Sequence, residues 1–225
     1  MTQPKQPAEQ SIKVATDAVI FTVRRGELMA LLIQMKKVPY TGKWAVPGGI
    51  IGQAETTEQA ARRILTTQTG VSDAHLEQLA TFDDPKRDKL GRVISVAYVA
   101  LVASEKVILK TTEKYADVRW WPTSKLPALA YDHKDMVAVA VDRLRAKLEY
   151  TNVAWSLLPP QFTLTELQEI YEIILGRPVD KRNFRRRVLD LGIVVGTGTK
   201  RMGGAHRPAE LYAFKRRSME YIEVL

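Results

Sequence analysis

A Gly-rich turn leads into a helical register in GIIGQAETTEQAARRILTTQTGV, residues 49–71, and the acids near it are Glu55, Glu58, Asp83 and Asp84. Acids in such a place suggest metal-assisted hydrolysis. A hard divalent cation takes oxygen ligands, and a diphosphate substrate needs one to offset its charge and to activate water. Carboxylates three or four residues apart converge on one side of a helix. One side of this helix presents Ile64, Thr67 and Gln68, none of them an acid. Glu55 by itself is a poor metal site, so neither a bound metal nor turnover is expected. Anion binding does not depend on those acids. Arg62, Arg63 and Arg92 have the paired donors that suit phosphate oxygens, and Trp44, Phe82 and Tyr98 could stack a base or pack against ribose. The plainer alternatives are that these aromatics are core and that Arg63 orients a loop by pairing with Glu55.

A second chemistry is concentrated between Arg177 and Arg207, where nine Lys or Arg stand against two acids, a local balance of +7 in 31 residues. The whole chain carries a formal charge of +9 with a pI near 9.7, so most of its excess lies in this stretch. A basic face on a short helix suits nucleic acid. In KRNFRRRVLDLG, Phe184, Val188 and Leu191 form an apolar stripe, which leaves Lys181, Arg182, Asn183, Arg185 and Arg186 as candidate readers of base edges. Lys200, Arg201, His206 and Arg207 fall in a following Gly-rich loop, placed to touch the DNA backbone or minor groove. The three histidines, His75, His133 and His206, are scattered without metal-ligand spacing.

The elements that must position these groups read as follows. VATDAVIFTV and LMALLIQM are β-rich runs joined at Arg24-Arg25-Gly26-Glu27, a predicted hairpin. PYTGKWAVPGG is too rich in Pro and Gly for regular structure. Thr56 or Thr57 caps the helix that Gly70 ends, with Ala60, Ala61, Ile64 and Leu65 on one face. HLEQLATFDDP, RVISVAYVALVA and VILKTTEKYADVRWWP supply further strands and loops, and Asp132 is predicted to cap a helix through MVAVAVDRLRAKLEY. After TNVAWSLLPPQ come an amphipathic helix in TLTELQEIYEIIL, the turn GRPVD, the basic helix and IVVGTGTKRMGGAHRPAELYAF, two strands around a basic loop. Helix, turn, helix, hairpin is the order of a winged helix.

The 49–71 stretch resembles the Nudix box, with Gly49, Glu55, Arg63, Leu65, Gly70 and Val71 in register and Ile64, Thr67 and Gln68 where that family has its helix glutamates. The preceding WAVPGG resembles the approach to that box. FDDPKRDKLGRVISVAYVALV, WWP and the YDH helix start resemble the Nudix-related transcriptional regulators of NAD metabolism, the NrtR family, over nearly the whole chain. The resemblance implies an α/β Nudix fold, a mixed sheet between helices, followed by a small winged helix-turn-helix domain. It also implies a repressor of NAD biosynthesis or salvage genes that binds an operator as a homodimer, with ADP-ribose or a related nucleotide as the ligand that releases it. No cofactor is required on this reading, and twofold symmetry implies a palindromic operator in double-stranded DNA. A sugar-responsive regulator of the same plan and an active ADP-ribose pyrophosphatase are the alternatives.

Composition agrees with this class. The 225 residues suffice for a domain of roughly 150 residues and a small second one. The expected boundaries are a frayed terminus over 1–11, an effector domain over 12–150, a linker over 151–160 and a winged helix over 161–225. The absence of cysteine excludes disulfides and Cys-ligated zinc. MTQPKQPAEQSIK lacks the apolar core of a signal peptide, and no apolar run approaches about 20 residues, so a cytoplasmic protein with no membrane contact is expected. A hinge at the linker or a change of dimer geometry would couple ligand to DNA.

Overall fold

The computed structural model describes residues 11–225 apart from 73, 104–106, 108, 110–112, 202–207, 223 and 225. Strands β1 (Lys13–Arg24) and β2 (Glu27–Met35) form the expected hairpin, paired antiparallel from Phe21↔Ala30 to Arg24↔Glu27. Beyond that point the two strands splay. The gap is filled by two short strands from the Pro- and Gly-rich stretch: β3 (Trp44–Ala45) pairs with β2, and β4 (Gly48–Ile50) pairs with β1. The composition of this stretch argued against regular structure, but the diverging strand edges supply the backbone partners that it needs. Strand β5 (His75–Phe82) pairs with β6 (Val93–Leu101), β6 runs parallel to β1, and β7 (Tyr115–Pro122) pairs with β2, completing a seven-stranded mixed sheet.

The sheet is covered on both faces, and strand parity assigns the sides. Ala18, Ile20, Leu31 and Ile33 share an apolar layer with Ile64 and Leu65 of helix α1 (Thr57–Thr69). Val19, Phe21, Leu32 and Val99 face helix α2 (His133–Tyr150). Helix α1 begins at a full capping box, in which Thr56 Oγ1 accepts from the Gln59 amide and the Gln59 side chain accepts from the Thr56 amide. It ends at Gly70, whose φ of 72° is the left-handed conformation that glycine adopts without strain.

The winged helix consists of α3 (Leu164–Leu175), α4 (Lys181–Asp190), β8 (Val194–Arg201) and β9 (Ala209–Phe214). It is not tethered by a solvated linker. Residues 153–157 form a 3-10 helix in which Val153 and Ala154 are fully buried. The core on the α2 side continues through them to Phe162, Leu167, Tyr171 and Val188. The chain then returns to the junction after β9. The Ile222 and Val224 amides donate to the Tyr150 and Glu149 carbonyls, and the Arg217 guanidinium donates to the carbonyls of Trp155, Leu158 and Pro159.

Candidate functional site

The splay of β1 and β2 opens a cleft of about 420 Å³. One face of β1, where alternate residues point the same way, supplies Lys13, Ala15 and Asp17 to it. Strand β4, at Gly48-Gly49, and the loop after β5 add to the walls. Its apolar surface includes Ile33, Val46 and Leu90, and its outer part carries the cations Lys13, Arg92 and Lys114. An apolar cleft of this size with a few convergent polar groups is the usual form of a small-molecule site.

The floor is a buried ionic cluster. Asp17 is 6% exposed, and its Oδ2 accepts from the Ser95 hydroxyl at 2.6 Å, with Arg87 Nη2 at 3.6 Å and His133 Nε2 at 3.7 Å. Burial pushes the Asp17 carboxyl up, but His133, the Ser95 hydrogen bond and Arg87 together hold it below its ordinary value. His133 Nδ1 accepts from the Val46 amide at 2.9 Å, which fixes the ring and leaves Nε2 toward Asp17. Arg87 makes a bidentate pair with Asp132, with Nε at 2.9 Å and Nη2 at 2.7 Å. Asp132 therefore corrects its sequence assignment: it sits at the N-cap of α2 without capping it, because its carboxylate is committed to Arg87. Tyr131, at a φ of 54° unusual for a side-chain-bearing residue, lies between Tyr40 and His133 with ring centroids 4.2 and 4.9 Å away. Burial and the nearby Asp88 raise its hydroxyl to a pKa of about 12.

Of the expected effector residues, Arg92 lines this cleft and donates to the Asp83 carbonyl. The others are elsewhere. Trp44 packs edge-on against Trp121 in the core facing α2, and Phe82 is half-buried against the same core. Tyr98 is buried, with its hydroxyl 2.9 Å from Thr57 Oγ1 at the start of α1. Arg62 pairs with Glu58 one turn away, and Arg63 grips Glu55 through two 2.7 Å bonds. That grip and the Gly52 amide draw the Glu55 carboxyl down to about 2. Ile64 is buried in the apolar layer, Gln68 is 4% exposed and Thr67 is exposed. Among the described residues no three His, Asp or Glu side chains form a metal-holding group. Asp17, Arg87, Tyr131 and His133 were missed. The available signal was Asp17 itself, a charge inside the apolar run VATDAVIF, where a carboxylate survives burial only with partners.

The basic surface is built differently. Asp180 caps α4 by accepting from the Asn183 amide at 2.7 Å, and Phe184 and Val188 face inward. Lys181, Arg182, Asn183 and Arg186 are exposed, and Arg186 donates to Asn183 at 3.3 Å. Lys181 and Arg182 have no hydrogen-bond or ion-pair partner among the described residues. Arg185 is half-buried and donates to Thr165 Oγ1 at 2.7 Å, while Arg201 of the wing pairs with Glu166 of α3. Arg185 thus braces α4 against α3, and Arg201 braces the wing against α3. Lys200 is exposed on β8; His206 and Arg207 lie outside the described residues.

Two family models match the chain: a NUDIX domain over residues 12–140 and an NrtR DNA-binding winged helix domain over residues 154–214. It is 39% identical over 206 residues, 89% of this chain and 81% of that protein, to the ADPR responsive transcriptional repressor NtrR of Acinetobacter baylyi. The crystal structure of Shewanella oneidensis NrtR complexed with a 27mer DNA is similar at 37% identity and a TM-score of 0.81, covering 90% of this chain and 93% of that one. The NUDIX domain of the same Shewanella protein complexed with ADP ribose is similar at 34% identity and a TM-score of 0.54, covering 64% of this chain and 94% of that one. With a Nudix domain fused to an NrtR winged helix and this likeness along nearly all its length, the chain belongs to the NrtR family of Nudix-related transcriptional regulators.

Proposed function

We propose that this protein is a repressor of NAD biosynthesis or salvage genes, released from its operator by ADP-ribose or a related NAD-derived nucleotide. The observation that carries the reading is the joining, in one chain, of a cation-rimmed cleft of nucleotide size to an exposed basic helix start. The relatives named for ADP-ribose response and DNA binding support it. Lys181, Arg182, Asn183 and Arg186 are the proposed DNA-facing side chains, with Lys200 on the wing. Arg185 and Arg201 contribute by holding α4 and the wing in place. The partners are double-stranded operator DNA, with palindromic half-sites, and a second copy of the chain. No helix among the described residues is long and apolar enough to cross a membrane, and the proposed setting is the cytoplasm.

The proposal includes loss of hydrolysis. The side of α1 that would gather a metal carries an apolar side chain, a hydroxyl and an amide, and Glu55 is committed to Arg63. A sensor gains from this loss, because a ligand that is destroyed cannot hold a population shift. Release requires the ligand to bind the DNA-incompetent arrangement more tightly than the competent one. The buried junction at 151–158 favours a change of dimer geometry over a hinge there. The test is fluorescence anisotropy with DNA from upstream of NAD-synthesis genes, at fixed salt, with and without ADP-ribose. Selective binding that ADP-ribose abolishes is expected. Selective binding that only pentoses disturb would replace the ligand with a sugar. Mg²⁺-dependent AMP release from ADP-ribose, lost in Glu55→Gln, would restore the pyrophosphatase.

A further inference from the structure

The cleft has opposite electrical character at its two ends. At the outer end, Lys13, Arg92 and Lys114 present cations. At the floor stands a carboxylate, Asp17, buried to 6% exposure. Its two oxygens are not equivalent. Oδ2 takes the Ser95 hydroxyl and faces Arg87 and His133. No donor among the described residues makes a hydrogen bond to Oδ1, which instead faces the backbone of Gly48. A Cβ on residue 48 would come within 1.8 Å of Oδ1, so the approach exists only because that residue has no side chain.

A carboxylate only accepts hydrogen bonds. With no protein donor on it among the described residues, Oδ1 is left to accept from a ligand group that donates. It also repels phosphate, which the outer cations attract. Lys13 and Asp17 share one face of β1, and four residues at about 3.3 Å each separate them by roughly 13 Å. That span leaves room for a sugar at one end and a diphosphate toward the other.

We propose that Asp17 is the specificity-determining residue of the cleft: Oδ1 takes the hydroxyls of a terminal sugar, one that lies beyond the diphosphate from the base, and so fixes that sugar inward and the phosphates outward on Lys13, Arg92 and Lys114. The assignment rests on reading the cleft as the site of a phosphorylated nucleoside. It accounts for a negative charge at the floor of a site that takes an anion, and for the glycine beside it. Arg87 and His133 act through Asp17 as positioning residues, since both reach Oδ2.

The test is calorimetric titration of the full chain with ADP-ribose, with ADP, which lacks the terminal ribose, and with the ADP-ribose analogue carrying hypoxanthine in place of adenine. The wild-type protein is expected to prefer ADP-ribose to ADP by at least roughly tenfold, the order of one recognised polar group, and to bind the hypoxanthine analogue as well as ADP-ribose. Asp17→Asn is expected to erase the preference over ADP by weakening ADP-ribose alone. Gly48→Ala, which closes the approach while keeping the carboxylate, is expected to erase it too and serves if Asp17→Asn does not fold. A preference unchanged in both Asp17→Asn and Gly48→Ala overturns the assignment and leaves the repressor reading intact. Selective weakening of the hypoxanthine analogue in the wild type overturns it in favour of the adenine amino group. Failure of the wild type to bind any of the three ends the reading of the cleft, and this inference with it.

Discussion

Arg87 and Arg182 have the same side chain and opposite circumstances. Arg87 lies in the wall of the cleft with its side chain 3% exposed, two bonds to Asp132 and a longer contact to Asp17. Arg182 stands exposed at the start of α4 with no partner among the described residues. The first has spent its donors inside the molecule and helps to hold a ligand site in shape. The second keeps its donors for something outside. A charge count treats both as +1, while their environments differ: one is committed to internal contacts and the other stands open to solvent.

The sharpest break of this contrast is Arg87→Ala. Removing one member of a buried ion pair strands its partners, here Asp132 and Asp17, at a cost of about 3–5 kcal/mol. Denaturant unfolding should show a loss of that order, and the cleft should lose its ligand. Unchanged stability would mean that the buried cluster is no more consequential than a surface pair. Next comes the double variant Lys181→Ala/Arg182→Ala. Operator affinity should fall by roughly 10- to 100-fold, corresponding to about 1–3 kcal/mol of base or phosphate contact. Stability should stay within about 0.5 kcal/mol, as for surface positions generally. Anisotropy and thermal melting read the two quantities separately, and a large fall in melting temperature would place these residues with Arg87.

Arg185→Ala sharpens the comparison from between the two extremes. Loss of its bond to Thr165 should cost about 1 kcal/mol of stability. Operator affinity should fall less than in the double variant, with the slope of affinity against salt unchanged, because no phosphate contact is removed. A shallower slope would make Arg185 a direct contact. The smallest effect concerns Glu55. Its carboxyl is depressed from 4.5 to about 2 by Arg63 and the Gly52 amide, so whatever stability the pair contributes is present above the ordinary value and is lost as pH falls from about 4.5 toward 2. Carboxyl NMR titration should find its midpoint near 2, and Glu55→Gln should barely change melting at neutral pH.

What could be read from the sequence was local and periodic. The α1 cap, the glycine that ends it, the inward stripe of α4 and the strand-turn-strand of β1 and β2 each follow from residues close together in the chain. The cleft does not. It joins β1, the start of β4 at Gly48, Arg87 and the start of α2, groups separated by more than 80 residues between Val46 and His133 alone. The aromatics show the same limit: Tyr98 lies on the strand face toward α1 and Trp44 on the opposite face, a choice set by the register of β6 and β3 with their neighbours. His133, without a second histidine at ligand spacing, gave no metal signal. Its role depends on Asp17 across the fold and on an amide at Val46.

The return of Glu220, Ile222 and Val224 along the end of α2 sets the unit of inheritance. A recombination event cut at residues 151–160 would bring in a DNA-binding half shaped for another surface, because Leu144 and Leu148 before the cut and Val224 after the wing belong to the same apolar layer. Operator preference in such a lineage is therefore expected to drift through exposed positions of α4 such as Lys181 and Arg182, while the two halves descend together.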